Sequence, residues 1–121
     1  MSRHDDSVRL HHMLDHAREA VQMVSGRNRS DLDSDRQFGL AMTRLLEILG
    51  EAAARVSETV RQDRPEIPWA NVVGLRNRLI HGYDNVDFDI LWNTVVDDLP
   101  PLIAALDAWL KSGELGSPPL G

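Results

Sequence analysis

The sequence of 121 residues contains no cysteine, which excludes disulfides, thiol catalysis and zinc sites built on sulfur. It also has no apolar run long enough to span a membrane. The N-terminal residues Met1 to Asp6 do not include the apolar stretch that a secretory signal requires. From these absences we expect a soluble cytoplasmic protein with no membrane partner, and its length suits one domain with one core.

Positive charge is scarce, because 13 basic residues stand against 19 acidic ones and leave a formal net charge of −6 at pH 7. This balance argues against a protein that coats DNA, since such binding depends on lysine and arginine at the phosphates. Between Ala53 and His81, however, five arginines exceed three acidic residues, whereas every charged residue from Asp84 to Leu110 is acidic. A local basic site therefore stays open, with solvated helix faces as the simpler interpretation of most of these charges.

Familiar catalytic motifs are also missing. The sequence has no glycine-rich phosphate loop, no G-x-S-x-G elbow and no H-E-x-x-H metal motif, so serine nucleophile chemistry has no support. His12 and His16 are four residues apart, with His4 and His11 nearby, but we interpret this group as a surface cluster rather than a metal site. We predict no metal and no cofactor.

Apolar residues recur every three or four positions, which is the period of a helix with one buried face. The sequence therefore predicts an all-α fold, an up-and-down bundle of four main helices. The first helix is expected from about Asp5 to Ser25, and the second, the longest, from a capping box at Ser34 and Gln37 to a point before Pro65. The third is expected at about 69–80 with Gly82 as its stop, and the fourth from a cap at Asp87 to Leu110, kinked or broken at Pro100 and Pro101.

Three further features complete the predicted organisation. Residues 1–112 are assigned to the helical domain, and residues 113–121, with three glycines and two prolines, to a disordered C-terminal tail. Gly50 inside the second helix costs about 1 kcal/mol relative to alanine, so we expect another backbone to approach closely there. Trp69, Trp92 and Trp109 are interpreted as core or interface residues.

Arg76 is out of place on the third predicted helix. On a regular helix it falls in the middle of the apolar arc that includes Val72 and Ile80, where an unpaired guanidinium would cost several kcal/mol. One explanation is a salt bridge to an acidic residue of the second helix, Glu47 or Glu51. The other is a cleft in which Arg76 binds an anion.

Asn77 and His81 lie four residues apart on a neighbouring face, close enough for the amide to orient the imidazole. An arginine fork matches phosphate oxygens, and a histidine exchanges protons near neutral pH, so this segment suits cleavage of a phosphodiester. About 140° separates Arg76 from His81 on a regular helix. One copy therefore cannot aim both side chains at one atom unless the helix unwinds near Gly82 or a second copy contributes.

The string Arg76-Asn77-Arg78-Leu79-Ile80-His81-Gly82-Tyr83 resembles the R-x4-H-x-Y signature of HepT-like toxins, within the HEPN class of small helical ribonucleases. The resemblance extends to other short segments between about Phe38 and Leu110, namely Glu47 to Ala52, Pro65 to Trp69, Asn85 to Asp87, Leu91-Trp92 and Asp98 to Pro100. An ordered set of this length is more specific than the spacing of arginine and histidine alone.

The resemblance implies a homodimer in which the signature segments of two subunits form a composite site that cleaves RNA without a metal. The products would be a cyclic phosphate and a 5′ hydroxyl. It also implies that Arg76 binds and stabilises the scissile phosphate, that His81 is the acid and base, and that Asn77 positions it. Arg78 and Trp69, in the same basic region, are candidate RNA contacts.

The resemblance further implies a toxin-antitoxin system whose minimal nucleotidyltransferase antitoxin transfers AMP to the signature tyrosine, here Tyr83. The added phosphate would bring negative charge beside Arg76 and repel RNA. A competing interpretation is a non-enzymatic module that docks such a nucleotidyltransferase. In that interpretation Arg76 only holds a subunit interface, and Tyr83 is an interface aromatic.

Overall fold

The computed structural model describes residues 3–82 and 85–115, and within them the only pairing outside helices and turns is an isolated bridge between Ile80 and Val86. In chain order the elements are α1 (Arg3–Val24), α2 (Asp31–Ser34), α3 (Arg36–Ala54), α4 (Glu58–Gln62), α5 (Trp69–Val73), α6 (Leu75–Leu79), α7 (Phe88–Asn93), a π-helical turn (Thr94–Asp98) and α8 (Leu99–Ser112). The prediction of an all-α fold is confirmed. Over these same residues, no helix combines the length and the apolar character needed to cross a membrane.

The core lies where α1 packs against α3 and α8, with α5 and α6 on another side of α3. Its fully buried large side chains come from α1, α2, α3, α6, α7 and α8: Leu10, Met13, Leu32, Met42, Leu46, Leu49, Leu75, Leu79, Leu91, Leu99, Leu106 and Trp109. The long helices α1, α3 and α8 each bury one face, as their apolar spacing predicts. This packing fixes α3 as the central support for the short helices α5 and α6.

The second predicted helix is interrupted, contrary to the expectation of one helix reaching nearly to Pro65. Its main part, α3, ends at Ala54, and α4 begins after Ser57. The cause is a tertiary contact, because the buried carboxylate of Asp6 in α1 accepts hydrogen bonds of 2.8 Å from both the main-chain N–H and the hydroxyl of Ser57. With 22 residues, α1 rather than α3 is the longest helix among the described residues.

The beginning of α3 also differs from the predicted capping box at Ser34 and Gln37. Ser34 belongs to the short helix α2, and the N-cap of α3 is Asp35, whose carboxylate accepts from the main-chain N–H of Phe38. This hydrogen bond, aided by Arg27, lowers the pKa of the Asp35 carboxyl. The helix is therefore capped by the carboxylate of Asp35, one residue after the predicted serine cap.

The fourth predicted helix begins where expected, because Asp87 caps α7 by accepting from the main-chain N–H of Ile90 at 3.0 Å. Its interruption is a π-helical turn that ends at Asp98, before the two prolines. Pro100 and Pro101 occupy the first turn of α8, where a missing N–H costs no hydrogen bond. The prolines therefore start the last helix instead of kinking it.

The first residues of the predicted disordered tail pack against the bundle. Gly113 has a φ of 75°, which ends α8. Leu115 is buried, and Glu114 forms an ion pair of 2.7 Å with Arg64. Residues 116–121 of that predicted tail lie outside the described residues.

Candidate functional site

The segment that carries Arg76 folds as two short helices rather than the single helix predicted at 69–80. The break lies at Gly74, which is both the C-cap of α5 and the N-cap of α6. A β-carbon at Gly74 would lie 3.0 Å from the carbonyl oxygen of Ala70, and glycine is a weak helix former. The interruption is short, because the main-chain N–H of Gly74 donates to the Ala70 carbonyl and that of Arg78 donates to the Gly74 carbonyl, both at 3.0 Å.

His81 lies on the loop that follows α6 and not on a helical surface. Helix α6 stops at Leu79, and Ile80 is extended. The main-chain N–H of His81 donates to the Asn85 carbonyl at 2.8 Å, and that of Asp87 donates to Leu79 at 2.7 Å. The sequence left two ways of bringing Arg76 and His81 together, a second copy or unwinding of the helix near Gly82. The helix does unwind, and the unwinding begins at Ile80. Tyr83 lies outside the described residues.

Helices α5 and α6 are held against α3 by a close backbone approach at Gly50. A β-carbon at this position would lie 3.0 Å from the carbonyl oxygen of Val72 in α5 and 3.7 Å from the β-carbon of Leu75 in α6. The prediction of a close approach at Gly50 is confirmed. Because Glu47 is one turn before Gly50 on α3, this contact also brings Glu47 beside α6.

Arg76 is exposed, and its predicted place in the middle of an apolar arc is wrong. Its side chain is 65% exposed, while the buried positions of α6 are Leu75 and Leu79. The buried residues of the two helices, Trp69, Val72, Leu75 and Leu79, form one stripe with helical spacing, and Arg76 lies at the edge of this stripe rather than in its middle. Ile80, which the prediction counted in the arc, lies beyond the end of α6. The Arg76 Nε atom lies 3.5 Å from Oε2 of Glu47, whose side chain is only 19% exposed. Of the two acids considered as partners, Glu47 pairs with Arg76.

Glu51, the other acid considered, pairs with Arg44 at 3.5 Å, and Arg44 also lies 3.9 Å from Glu47. The ion pairs therefore connect Glu51, Arg44 and Glu47, all on one face of α3, to Arg76 on α6. Sequence reasoning missed Arg44. The spacing of Arg44, Glu47 and Glu51, three and four residues apart, is the signal that puts them on one helical face.

Asn77 and His81 are both exposed, and no hydrogen bond joins these two described side chains. Asn77 remains on α6, whereas His81 has left the helix, so the four-residue spacing no longer brings them face to face. Arg76, Asn77 and His81 nevertheless share one short, solvent-exposed stretch of chain. This stretch combines a cation, an amide and a titratable imidazole.

The two predicted RNA contacts occupy different surroundings. Trp69 is buried, donates its indole N–H to the Arg64 carbonyl at 3.0 Å, and meets Trp109 edge to face at 6.3 Å. This packing supports the interpretation of Trp69 as a core residue. Arg78 is half-buried and lines a cavity of about 340 Å³ together with Asp98, so it faces a different space from Arg76.

Two of the four histidines of α1 form hydrogen bonds with their own helix. Nδ1 of His11 donates to the Ser7 carbonyl at 2.8 Å, and Nδ1 of His16 donates to the His12 carbonyl at 2.7 Å. Within residues 3–82 and 85–115, no group of three or more histidine, aspartate or glutamate side chains is arranged to hold a metal ion.

A groove of about 640 Å³ runs beside the ion pair of Arg76 and Glu47, and sequence reasoning did not identify it. Its lining comes mainly from α3 and from the chain after α6: Leu32, Asp33, Arg36, Gly39, Leu40, Thr43, Arg44, Glu47, Ile80, Val86 and Phe88. Leu40 is 57% exposed at this groove. The groove is therefore apolar at its base and carries two arginines and two acids, and it reaches Ile80, the residue before His81.

Comparison with known proteins gives consistent results. The family pattern described as "Ribonuclease HepT-like" matches residues 13–109. A protein of Methanocaldococcus jannaschii named "Putative RNase MJ1380" is 32% identical over 102 residues, which cover 84% of this chain and 94% of the relative. One of Thermococcus cleftensis named "Probable ribonuclease HepT" is 36% identical over 93 residues, which cover 74% of this chain and 84% of the relative. No solved structure gives a significant match.

Proposed function

The chain belongs to the HepT-like ribonuclease family, and from this premise we propose that it is an RNA endonuclease whose site contains Arg76 and His81. The observation that carries the proposal is the exposure of both side chains at the end of α6, with Arg76 65% exposed. A guanidinium in this position has terminal N–H groups that suit two phosphate oxygens. The site needs no metal, since both functional groups come from the chain.

The proposed reaction is an internal transesterification. The His81 imidazole takes the proton of the ribose 2′ hydroxyl, and the 2′ oxygen forms a bond to phosphorus. The bond from phosphorus to the 5′ oxygen breaks, and that oxygen takes a proton from an imidazolium. Arg76 stabilises the charge that develops on the phosphate oxygens. The products are a 2′,3′-cyclic phosphate and a 5′ hydroxyl, and Asn77 orients the imidazole or the phosphate.

We propose that the active form is a homodimer whose two signature segments meet at one composite site. The groove beside Glu47 supports this arrangement, because it exposes Leu40 and its lining includes both basic and acidic side chains, among them Arg36 and Asp33. A two-fold contact sets the same patch against itself, so basic side chains of one copy would face acidic side chains of the other. The four main helices would then pack as an up-and-down bundle in each subunit.

We also propose that the protein is the toxin of a toxin-antitoxin pair. Its partner would be a minimal nucleotidyltransferase that transfers AMP to Tyr83, two residues after His81 in the sequence. The new phosphodiester would place a negative charge near Arg76 and oppose RNA binding. Incubation with the nucleotidyltransferase encoded beside the gene and ATP, followed by mass spectrometry of peptides, should show AMP on Tyr83. AMP on another residue, or none, would reject this switch.

Cleavage of synthetic RNA by the purified full chain tests the nuclease proposal. We expect cleavage in the presence of a metal chelator, and fragments whose 5′ hydroxyls accept phosphate directly from a polynucleotide kinase. A substrate with 2′-deoxyribose throughout should remain intact because it lacks the attacking hydroxyl. Arg76→Ala and His81→Ala should each lower the rate by at least about a hundredfold. Intact RNA with the wild-type protein would favour the non-enzymatic docking module instead.

A further inference from the structure

Glu47 is the more firmly held partner of the ion pair with Arg76. Its side chain is 19% exposed and projects from α3, the central helix of the fold, whereas the Arg76 side chain is 65% exposed on the five-residue helix α6. The close approach at Gly50, one turn further along α3, fixes the spacing between the two helices. The position of Glu47 is therefore set by the core, and Arg76 is the side chain that gains order from their contact.

The atoms that meet leave most of the guanidinium available. Oε2 of Glu47 lies 3.5 Å from Nε of Arg76, and no described residue has an ion pair or hydrogen bond with the terminal nitrogens of Arg76. Those two nitrogens form the edge that binds phosphate oxygens in pairs. A carboxylate at Nε thus restricts the rotation of the side chain and directs its phosphate-binding edge away from α3.

The carboxylate does not leave this surface with a net negative charge. Arg44 lies 3.9 Å from the same Oε2 atom of Glu47 and 3.5 Å from Glu51, so the two acids are balanced by Arg44 and Arg76. An arginine side chain has many rotamers, and holding it in one of them before substrate arrives reduces the ordering needed at the reacting phosphate.

From these contacts we infer that Glu47 is a positioning residue for the ribonuclease reaction, acting through Arg76 without touching RNA. This inference rests on the proposed function. It assigns a role to a residue outside the arginine, histidine and tyrosine signature. It also separates Glu47 from Glu51, which is one turn further along α3, is 53% exposed, and pairs with Arg44 rather than with Arg76.

The test compares kcat and KM for one RNA oligonucleotide among full-length variants. Glu47→Gln should lower kcat roughly tenfold to a hundredfold with a smaller change in KM, because substrate still meets a cationic surface but the guanidinium is no longer oriented. Glu47→Asp should recover part of the rate. Glu51→Gln removes the same charge beside Arg44 and should keep kcat within about twofold of wild type.

A second experiment tests whether Glu47 acts through the guanidinium of Arg76. Lysine has no Nε donor of this geometry, so in an Arg76→Lys background Glu47→Gln should have little additional effect on the residual rate. Equal effects of Glu47→Gln in both backgrounds would overturn the inference. Thermal unfolding and the oligomeric state of each variant, measured in parallel, should match wild type. A loss of stability or of oligomer that accounts for the lower rate would also overturn it.

The remaining outcomes separate the two proposals. If Arg76→Ala and His81→Ala are inactive while Glu47→Gln keeps the wild-type kcat, the positioning role is wrong and the nuclease proposal stands. If Glu47→Gln raises the rate or lowers KM, Glu47 masks Arg76 rather than orienting it. If wild type and all variants leave RNA intact, the nuclease proposal fails and the positioning role fails with it.

Discussion

Replacing Gly50 with alanine tests how tightly the core positions the site. In an exposed helix interior this substitution stabilises a protein by about 1 kcal/mol, because alanine is the better helix former. At Gly50 the new methyl group would lie 3.0 Å from the Val72 carbonyl oxygen, which belongs to the backbone of α5 and has no rotamer with which to move away. The substitution therefore sets helix propensity against overpacking.

The magnitudes favour destabilisation. Overpacking a core costs about 1–3 kcal/mol, and a contact with a backbone carbonyl belongs in the middle of that range. Subtracting the gain in propensity leaves a net loss of about 1 kcal/mol for Gly50→Ala. For a chain of this size such a loss lowers the melting temperature by about 4 °C. Displacement of α5 and α6 should also lengthen the contact between Glu47 and Arg76.

The assay is urea unfolding at a fixed protein concentration, so that self-association does not change the comparison. Ala104→Gly, at an exposed position inside α8, measures the propensity difference in the same protein and should cost about 1 kcal/mol. The expected result is that both substitutions destabilise, although they exchange the same two residues in opposite directions. A Gly50→Ala protein more stable than wild type would refute the reasoning about close approach.

Two further predictions concern the charged contacts of α1 and α8. Asp6→Ala should lower the free energy of unfolding by about 2 kcal/mol at pH 7, because it removes a buried charged acceptor and leaves the two donors of Ser57 unpaired. Urea unfolding measures this loss, and a loss below about 0.5 kcal/mol would contradict the account. Hydrogen bonds from Lys111 and Arg18 lower the pKa of the Asp107 carboxyl, so its stabilising effect is complete above its ordinary pKa of about 4 and is lost as the pH falls through the lowered value. The stability difference between wild type and Asp107→Asn should therefore shrink as the pH falls below about 4, and a difference that does not change with pH in this acid range would be inconsistent with the ion pairs.

Local sequence patterns predicted the parts of the fold that depend on local chemistry. The apolar period located α1 and α8, and Asp87 was recognisable as a cap because its carboxylate reaches a main-chain N–H three residues on. The break at Ser57 was not predictable in this way. It depends on the Asp6 carboxylate, 51 residues away in the sequence, and a tertiary contact of this kind leaves no local pattern.

In the candidate site, too, some features follow from the local sequence and others depend on tertiary contacts. Arg76 attracted attention because a cation did not fit an apolar arc, but that arc included Ile80, which lies beyond the end of α6. The stripe that is buried runs through Val72, Leu75 and Leu79 and leaves Arg76 exposed at its edge. Glu47 and Glu51 were equivalent partners in the sequence. The choice between them depends on the register of α6 against α3, which is set by the backbone approach at Gly50.

Mixing two inactive variants tests the central claim most directly. A composite site formed by two subunits predicts that Arg76→Ala protein and His81→Ala protein, each inactive alone, regain RNA cleavage when they are unfolded together, refolded and allowed to exchange subunits. In the mixed dimer one copy supplies an intact Arg76 and the other an intact His81. No cleavage from a verified mixed dimer would contradict a site shared between subunits.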